Sequence, residues 1–383
     1  MPVEGVRRPA WAEISASAIA HNVRVLKDLM GETRLCAVVK ANGYGHGALL
    51  VAAAAIAGGA DSLAVAIVDE GIELRGAGLS VPILLLAEIP PETIPDALSH
   101  SLTLTIGSLE GAHAAVAAAE RIGGLHRVHV QVDTGMHRMG VAPEGVNDVV
   151  DVLLSSPRID LEGIYTHFSV ADGSSDSDRL FTREQIARFD AVLGALAQRG
   201  VVPRVRHEAN SAGALGYPEA RASMVRIGLA LYGYLPGSWL AGALDARGVR
   251  LETALALRTQ VVAVRRVEAG ERPSYGRRRA LERDGTIVTV PFGYADGYPR
   301  RLFDAGANVL INGRRYPLAG NVTMDQLLID VGNDEVRPGD DVVLLGRQGA
   351  EEITADEWAT RAQTITWEIL CGIGSRVPRV LVD

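Results

Sequence analysis

The chain holds only two lysines, Lys27 and Lys40, among 38 basic residues. Chemistry that needs a primary amine on a side chain therefore has two candidates. Lys40 closes the apolar run Leu35-Cys-Ala-Val-Val-Lys40 and opens the stretch Ala41-Asn-Gly-Tyr44-Gly-His46-Gly. A lysine ending an apolar strand loses solvation, which lowers its pKa toward the free amine. The free amine is the form that condenses with an aldehyde to give a Schiff base. Lys27 falls in the polar pattern of His21 to Met30, a solvated helix face, and is a poor anchor for a cofactor. An arginine-biased genome accounts for the scarcity of lysine, but not for where Lys40 sits.

Other reactive side chains also gather where apolar runs end. Asp133-Thr-Gly-Met-His-Arg138 follows one run, and His167 ends another, with Ser169 and Asp172 beyond it. His207-Glu-Ala-Asn210-Ser211 follows a third, and Arg226 lies in Val225-Arg226-Ile-Gly228-Leu229. The Ser211 hydroxyl with backbone N–H groups at Gly228 and Leu229 would make an anion cradle, because glycine permits close backbone approach. A lysine and a phosphate cradle at one mouth suggest pyridoxal phosphate. Residue placement alone leaves open a phosphorylated-sugar enzyme or a metal-dependent one.

The elements that must position these groups are eight short runs. They are Leu35 to Lys40, Ser62 to Val68, Pro82 to Ala87, Leu102 to Ile106, Val128 to Val132, Leu161 to His167, Arg204 to Glu208 and Met224 to Gly228. Most are rich in Val, Ile or Leu without strict alternation, as parallel strands covered on both faces are; Arg204 to Glu208 is the polar exception. Helical spacing lies between them, as in Ala112 to Ile122 and Arg183 to Gln198, and one helix, His21 to Met30, precedes the first strand. The pattern predicts an α/β chain whose residues 11–240 form a (β/α)8 TIM-type barrel, with its active site at the C-terminal ends of the strands.

After Leu240 the character changes. Val261 to Val267, Thr286 to Pro291, Asn308 to Ile311, Leu327 to Val331 and Asp341 to Leu345 are β-rich and separated by Gly, Pro and Asp. A helical stretch returns only at Thr354 to Thr360. Residues 241–383 therefore read as a mostly antiparallel β C-terminal domain, joined through Pro236 to Gly248.

Composition narrows the class. Of 383 residues 48% are hydrophobic and 22% charged, which suits a large core and excludes a disordered tail, a collagen-like fibre or a coiled coil. A net charge of −8 argues against a nucleic-acid partner. Met1 to Ala20 carries Glu4, Arg7, Arg8 and Glu13 and no secretory signal is expected. The longest apolar run, Ala48 to Ala60, falls short of the about 20 residues a bilayer needs, so no membrane partner is expected. Cys36 and Cys371 make neither a disulfide framework nor a Cys-rich metal site. No metal is expected, Cys36 reads as a buried inert thiol, and the cytoplasm is the default location.

Ala37-Val-Val-Lys40-Ala-Asn-Gly-Tyr44-Gly-His46-Gly resembles the cofactor-lysine signature of alanine racemases. Asp133-Thr-Gly-Met-His-Arg138-Met-Gly, Tyr165-Thr-His167-Phe, Asn210-Ser211-Ala-Gly and Val225-Arg226-Ile-Gly228 are similar to that family's barrel motifs. Ser274-Tyr275-Gly276, Gly293-Tyr294-Ala-Asp-Gly297 and Met324-Asp325-Gln326 are similar to its β-domain motifs. The resemblance runs from about Trp11 to Arg379.

The resemblance implies a pyridoxal 5'-phosphate enzyme that interconverts L- and D-alanine and supplies D-alanine for peptidoglycan. Lys40 would hold the cofactor as an internal aldimine and serve as one acid–base group. Tyr275, reaching in from the partner subunit of a homodimer, would be the other. A free tyrosine titrates near pH 10, and His167 would assist it. Arg226 would face the pyridine nitrogen; since arginine only donates, that nitrogen would stay unprotonated. His207 would brace Arg226. Tyr44, Asn210, Ser211, Gly228, Leu229 and Trp367 would contact the cofactor, Arg138 and the Met324 backbone the substrate carboxylate. Tyr294, Asp172 and Arg300 resemble residues of the substrate's access path, with Asp325 in support.

The sequence departs from the family at four places. Gln131 replaces a lysine that many members carbamylate to orient the arginine, so Arg138 is expected to be held by Gln131 directly or by a small anion such as chloride. Trp367 stands for a phosphate-touching tyrosine, Asn321 for an arginine of the access path, and Val322-Thr323 for Val-Cys or Val-Ser. A serine or broad-specificity racemase is the nearest alternative. A decarboxylase of related plan usually places an acidic residue against the pyridine nitrogen, against which Arg226 argues. A non-catalytic pyridoxal-phosphate carrier is a single barrel, against which the β domain argues.

Overall fold

The computed structural model describes residues 7–245 and 248–383. The stretch read for a leader includes 1–6, and the suggested junction includes 246 and 247; those positions lie outside the described residues. The chain divides into two compact units. One comprises Ser17–Gly43 and Ala48–Glu252; the other comprises residues up to Ala16, Tyr44–Gly47 and Thr253–Asp383.

The chain opens with a strand, β1 (Ala10–Ile14), which belongs to the second unit. The first unit carries eight parallel strands: β2 (Arg34–Val38), β3 (Ser62–Val65), β4 (Ile83–Leu85), β5 (Leu104–Ile106), β6 (His126–Gln131), β7 (Ile159–Tyr165), β8 (Val205–His207) and β9 (Met224–Ile227). They pair in the orders β4-β3-β2-β9 and β5-β6-β7-β8. A parallel bridge, Leu84 to Thr103, joins the two sets on one side. Hydrogen bonds from Ser223 N to Arg206 O (3.1 Å) and Arg226 N to Ala209 O (3.0 Å) close the ring on the other. Strands β3, β4, β5 and β9 are short and wholly buried because helices cover their outer faces, which is why their sequences do not alternate.

Local chemistry sets the helices. Asp176–Gln198 starts where the Ser175 hydroxyl accepts from Asp178 N while the Asp178 carboxylate accepts from Ser175 N. Leu109–Ile122 starts where Ser108 accepts from Gly111 N. The first helix begins at Ala16, five residues before the expected His21, since Ala18, Ile19, Asn22, Val23, Leu26 and Met30 form one buried stripe at helical spacing. Lys27 lies on this helix and its Nζ donates to Asp61 and to Gly59 O, a structural tie.

In the second unit a sheet runs β14 (Arg314–Pro317), β13 (Asn308–Ile311), β16 (Asp341–Gln348), β10 (Leu255–Gln260), β1, β18 (Arg379–Leu381), with β17 (Glu351–Ile353) on β16. A smaller sheet is β11 (Ala263–Val267), β12 (Gly285–Val290), β15 (Leu327–Gly332). All pairings are antiparallel except β1 with β18. In β10 and β15 buried and half-buried positions alternate, the mark of sheets with one covered face. Among the described residues no helix is long and apolar enough to cross a membrane.

Candidate active site

Lys40 lies two residues beyond the end of β2 and begins an unusual turn. Ala41, Asn42 and Gly43 take φ of 53°, 53° and 60°, and Tyr44 takes 49°, a full left-handed turn. Left-handed backbone costs about 1–2 kcal/mol per non-glycine residue, so it persists only where its surroundings fix it. Here Gly43 N donates to Val39 O (2.8 Å), Asn42 Oδ1 accepts from Ala48 N (2.9 Å), and the Glu70 carboxylate accepts from Ala41 N and Ala66 N. The half-buried Lys40 is thereby set at a stiff corner on the C-terminal side of β2.

Arg226, on β9 and 2% exposed, is the hub of the barrel interior. Its Nη1 donates to His207 Nδ1 (2.8 Å); its Nη2 lies within reach of Thr166 O (2.9 Å), Glu208 O (3.0 Å) and His167 Nδ1 (3.1 Å). Burial, then the Arg226 charge, pushes both His207 and His167 well below the usual imidazole range, so both are neutral and can accept. No carboxylate pairs with Arg226 among the described residues, and its Nε–H and second Nη1–H have no acceptor there. The guanidinium lies 5.0 Å over the ring of Tyr165, which stacks on His207 at 4.5 Å because β7 and β8 pair Tyr165 with His207.

Beside this hub Ser211 Oγ accepts from Gly228 N (2.9 Å) and, longer, from Ala230 N (3.5 Å), which leaves its proton for another acceptor. Asn210 accepts from Gly213 N (3.0 Å) and so starts the short helix Ser211–Gly216, while Leu229 opens the turn Leu229–Tyr232. The expected grouping of His207, His167, Arg226, Ser211 and Gly228 is present in this unit.

Gln131 corrects one expectation. No hydrogen bond joins it to Arg138; its Oε1 accepts instead from the Tyr165 hydroxyl (3.1 Å), which also contacts Thr105 Oγ1 (2.9 Å). Gln131 is buried on β6 and Arg138 is exposed beyond the loop where Asp133 accepts from Gly135 N and His137 N, so the amide meets the nearer hydroxyl. Asp172 holds Trp239 through its backbone carbonyl (2.9 Å). Three partners escape sequence reasoning: Thr105 and Thr166, which carry no signal, and His129, whose Nδ1 lies 2.8 Å from His207 Nε2. A histidine inside the otherwise apolar Val128-His129-Val130 is a signal that could have found it. Cys36 is buried, and burial pushes its thiol up to about 11, as befits an inert group.

In the second unit Tyr275 is 74% exposed on a loop with positive φ at Ser274, Gly276 and Arg277. With Tyr294, Arg300, Met324 and Asp325 it lines one open depression. Asp325 pairs with Arg376 (2.8 Å), and Arg376 also reaches the buried Asp296, gripped on both oxygens by Arg8. Tyr44 is buried, and burial raises its hydroxyl pKa. Next to it Gly45 has φ of 79°, and a Cβ there would lie 2.1 Å from Leu370 O, so only glycine fits against the helix Thr366–Cys371 that carries the half-buried Trp367.

Residues 14–236 match the family model described as alanine racemase, N-terminal domain, and residues 254–381 match alanine racemase, C-terminal domain. An alanine racemase of Symbiobacterium thermophilum is 46% identical over 380 residues, 99% of this chain and 98% of the relative. The crystal structure of an alanine racemase from Bacillus anthracis with bound L-Ala-P superposes with a TM-score of 0.92 at 37% identity, over 99% of this chain and 96% of that one. A histidine racemase from Leuconostoc mesenteroides shares the fold at 28% identity and a TM-score of 0.87, over 98% and 99% of the chains.

Proposed function

The chain belongs to the alanine racemase family, and from that premise we propose that it interconverts L- and D-alanine with pyridoxal 5'-phosphate. The observation that carries the reading is Arg226: a buried, donor-only cation with neutral acceptors on one side and unspent N–H groups on the other. The residues fit the cofactor. A ring nitrogen with a lone pair suits the free Arg226 N–H, and the Ser211 hydroxyl proton suits a phosphate oxygen. Bound, the cofactor supplies an aldehyde that condenses with amines and a ring that withdraws electrons from the substrate's Cα.

Every other task falls to the chain. Lys40 anchors the cofactor and moves a proton at one face of Cα; Tyr275 of a second copy moves a proton at the opposite face, which inversion requires. Arg226 cannot surrender its proton, so the ring stays a modest electron sink and side reactions such as transamination are suppressed. Ser211, the backbone at Gly228 and Leu229, Tyr44 and Trp367 hold the phosphate, with Asn210 fixing the turn that carries Ser211. Arg138 and the Met324 backbone bind the substrate carboxylate, with a small anion beside Arg138 in place of the missing carbamate. Tyr294 and Asp325 shape the access path. The product would serve peptidoglycan synthesis in the cytoplasm.

The test is to follow chirality across a panel of L-amino acids with purified, cofactor-loaded protein. Alanine is expected to racemise fastest; rapid turnover of serine, lysine or histidine with little of alanine would transfer the chain to a wider racemase, for which the histidine racemase neighbour is a precedent. Borohydride treatment is expected to fix the cofactor on the single peptide containing Lys40.

A further inference from the structure

The barrel carries a chain of buried polar groups that extends outward from Arg226. Arg226 Nη1 lies 2.8 Å from His207 Nδ1, His207 Nε2 lies 2.8 Å from His129 Nδ1, and His129 Nε2 lies 3.3 Å from Glu162 Oε2. Both imidazoles are buried, and the Glu162 side chain is 16% exposed.

The two ends of the chain set its direction together, Arg226 as a donor and the Glu162 carboxylate as an acceptor. Arginine only donates, so His207 Nδ1 must accept. A neutral imidazole accepting at Nδ1 carries its proton on Nε2, and His207 therefore donates to His129 Nδ1. His129 in turn carries its proton on Nε2 and donates to the carboxylate. A protonated His129 would set an N–H against the N–H of His207, so His129 stays neutral even beside a carboxylate. Burial, the largest influence on it, acts in the same direction.

The backbone is shaped for this contact. Strands β6 and β7 slip register between Val128, opposite Leu161, and His129, opposite Gly163, so Glu162 has no residue across from it. Such a bulge re-aims the extra side chain. Opposite His129, a Cβ on Gly163 would lie 2.7 Å from three atoms of the imidazole ring, so a side chain there would displace it. Arg127 and Arg204 approach Oε1 of Glu162 at 3.6 and 3.9 Å, leaving Oε2 to His129.

We propose that Glu162 is a positioning residue for Arg226: as the terminal acceptor it locks both histidines in the Nε2–H tautomer, so that His207 always offers Nδ1 to the guanidinium. The inference rests on the proposed function, in which Arg226 meets the cofactor ring. Without the carboxylate, His129 can take the Nδ1–H form. That form confronts the N–H of His207 and drives His207 to turn an N–H toward Arg226, which tilts the guanidinium away from its working position.

The experiment is nitrogen NMR of the holoenzyme labelled in histidine, with His129→Gln and His207→Gln assigning the signals. In the unmutated enzyme Nδ1 of both residues is expected to be unprotonated and Nε2 protonated from about pH 6 to pH 9. Glu162→Leu is expected to give mixed tautomers, to shift the visible absorbance of the bound cofactor, and to lower kcat roughly ten-fold with little change in KM. Glu162→Asp should restore most of each, and Arg204→Ala, which removes only an outer ion pair, should change none. A protonated Nδ1 on His207 in the unmutated enzyme overturns the proposal whatever the variants do. So does a folded Glu162→Leu with unchanged imidazole and absorbance signals. If the protein fails to racemise alanine, the proposed function falls, yet the tautomer measurement still decides this inference.

Discussion

Asn321 donates its Nδ2 to the carbonyl of Tyr275 at 2.7 Å, while the carbonyl of Asn321 accepts from the Ser274 hydroxyl at 2.6 Å. This reciprocal clasp spans a loop in which Ser274, Gly276 and Arg277 have φ of 69°, 74° and 47°. Strained backbone of this kind needs external ties, and Asn321 supplies two. Asn321→Ala should therefore lower kcat about five-fold, the worth of roughly 1 kcal/mol of lost hydrogen bonding, and leave KM nearly unchanged. Asn321→Asp, which cannot donate when ionised, should do at least as much harm. Unchanged steady-state kinetics in both variants would remove Asn321 from the machinery.

Tyr275→Phe should cost about 10²- to 10⁴-fold in racemisation, the usual worth of a proton-transferring side chain. With the two bases on opposite faces, as proposed, the variant should still exchange the Cα hydrogen of one enantiomer with solvent deuterium. Equal loss of exchange from both enantiomers would indicate a single base.

The proposed action of Tyr275 in trans makes a sharper forecast. Lys40→Ala and Tyr275→Phe proteins are each expected to be inactive, but unfolding and refolding them together would form mixed dimers with one intact site. Random pairing restores about a quarter of the full activity if the site is shared between copies. If both groups came from one chain, no mixture would recover any.

Arg138 has lost the hydrogen bond that Gln131 could have given it, because Gln131 is occupied by Tyr165. The remaining expectation is a bound anion. Replacing chloride by a bulky organic anion in the assay should then raise KM for alanine about two- to five-fold, with kcat little altered, in keeping with up to about 1 kcal/mol for an exposed charge contact. A KM indifferent to the anion would leave Arg138 positioned by substrate alone.

Lys40 and Arg226 are legible in the sequence because a charged residue in an apolar run must have a reason to be there. Most of the barrel strands are legible because burial on both faces makes them compact apolar runs; β8, with Arg206 exposed between two buried residues, is the exception. Strand β1 is not: Ala10–Ile14 pairs with Leu255–Gln260, and no local pattern announces a partner so distant in the chain. Strand β14, Arg314–Pro317, is equally hidden, since its two arginines face solvent and only Tyr316 is buried. The contact of Glu162 with His129 depends on a one-residue slip and on a missing Cβ, and the Asn321 clasp depends on a loop meeting a loop. Such contacts arise from tertiary geometry, which spacing along the chain does not encode.

Glu208 provides a test through stability. Its side chain is 3% exposed and its Oε2 has no hydrogen-bond partner among the described residues. Burial foremost, then repulsion from Asp190, pushes its pKa up to about 8, against partial relief from Arg226 and Arg206. The folded protein therefore keeps this proton in a range where the unfolded chain, titrating near 4.5, has lost it. Between those values the native state binds more protons than the unfolded state, so the Glu208 contribution falls as pH rises from about 4.5 to about 8 and then levels off. Glu208→Gln keeps the shape without the ionisation. The variant should match the unmutated protein near pH 4.5 and become progressively more stable than it up to about pH 8, by a few kcal/mol at most. Urea unfolding midpoints of the two proteins across this range provide the measurement. A constant difference with pH would show that Glu208 ionises in the fold as it does in the open chain.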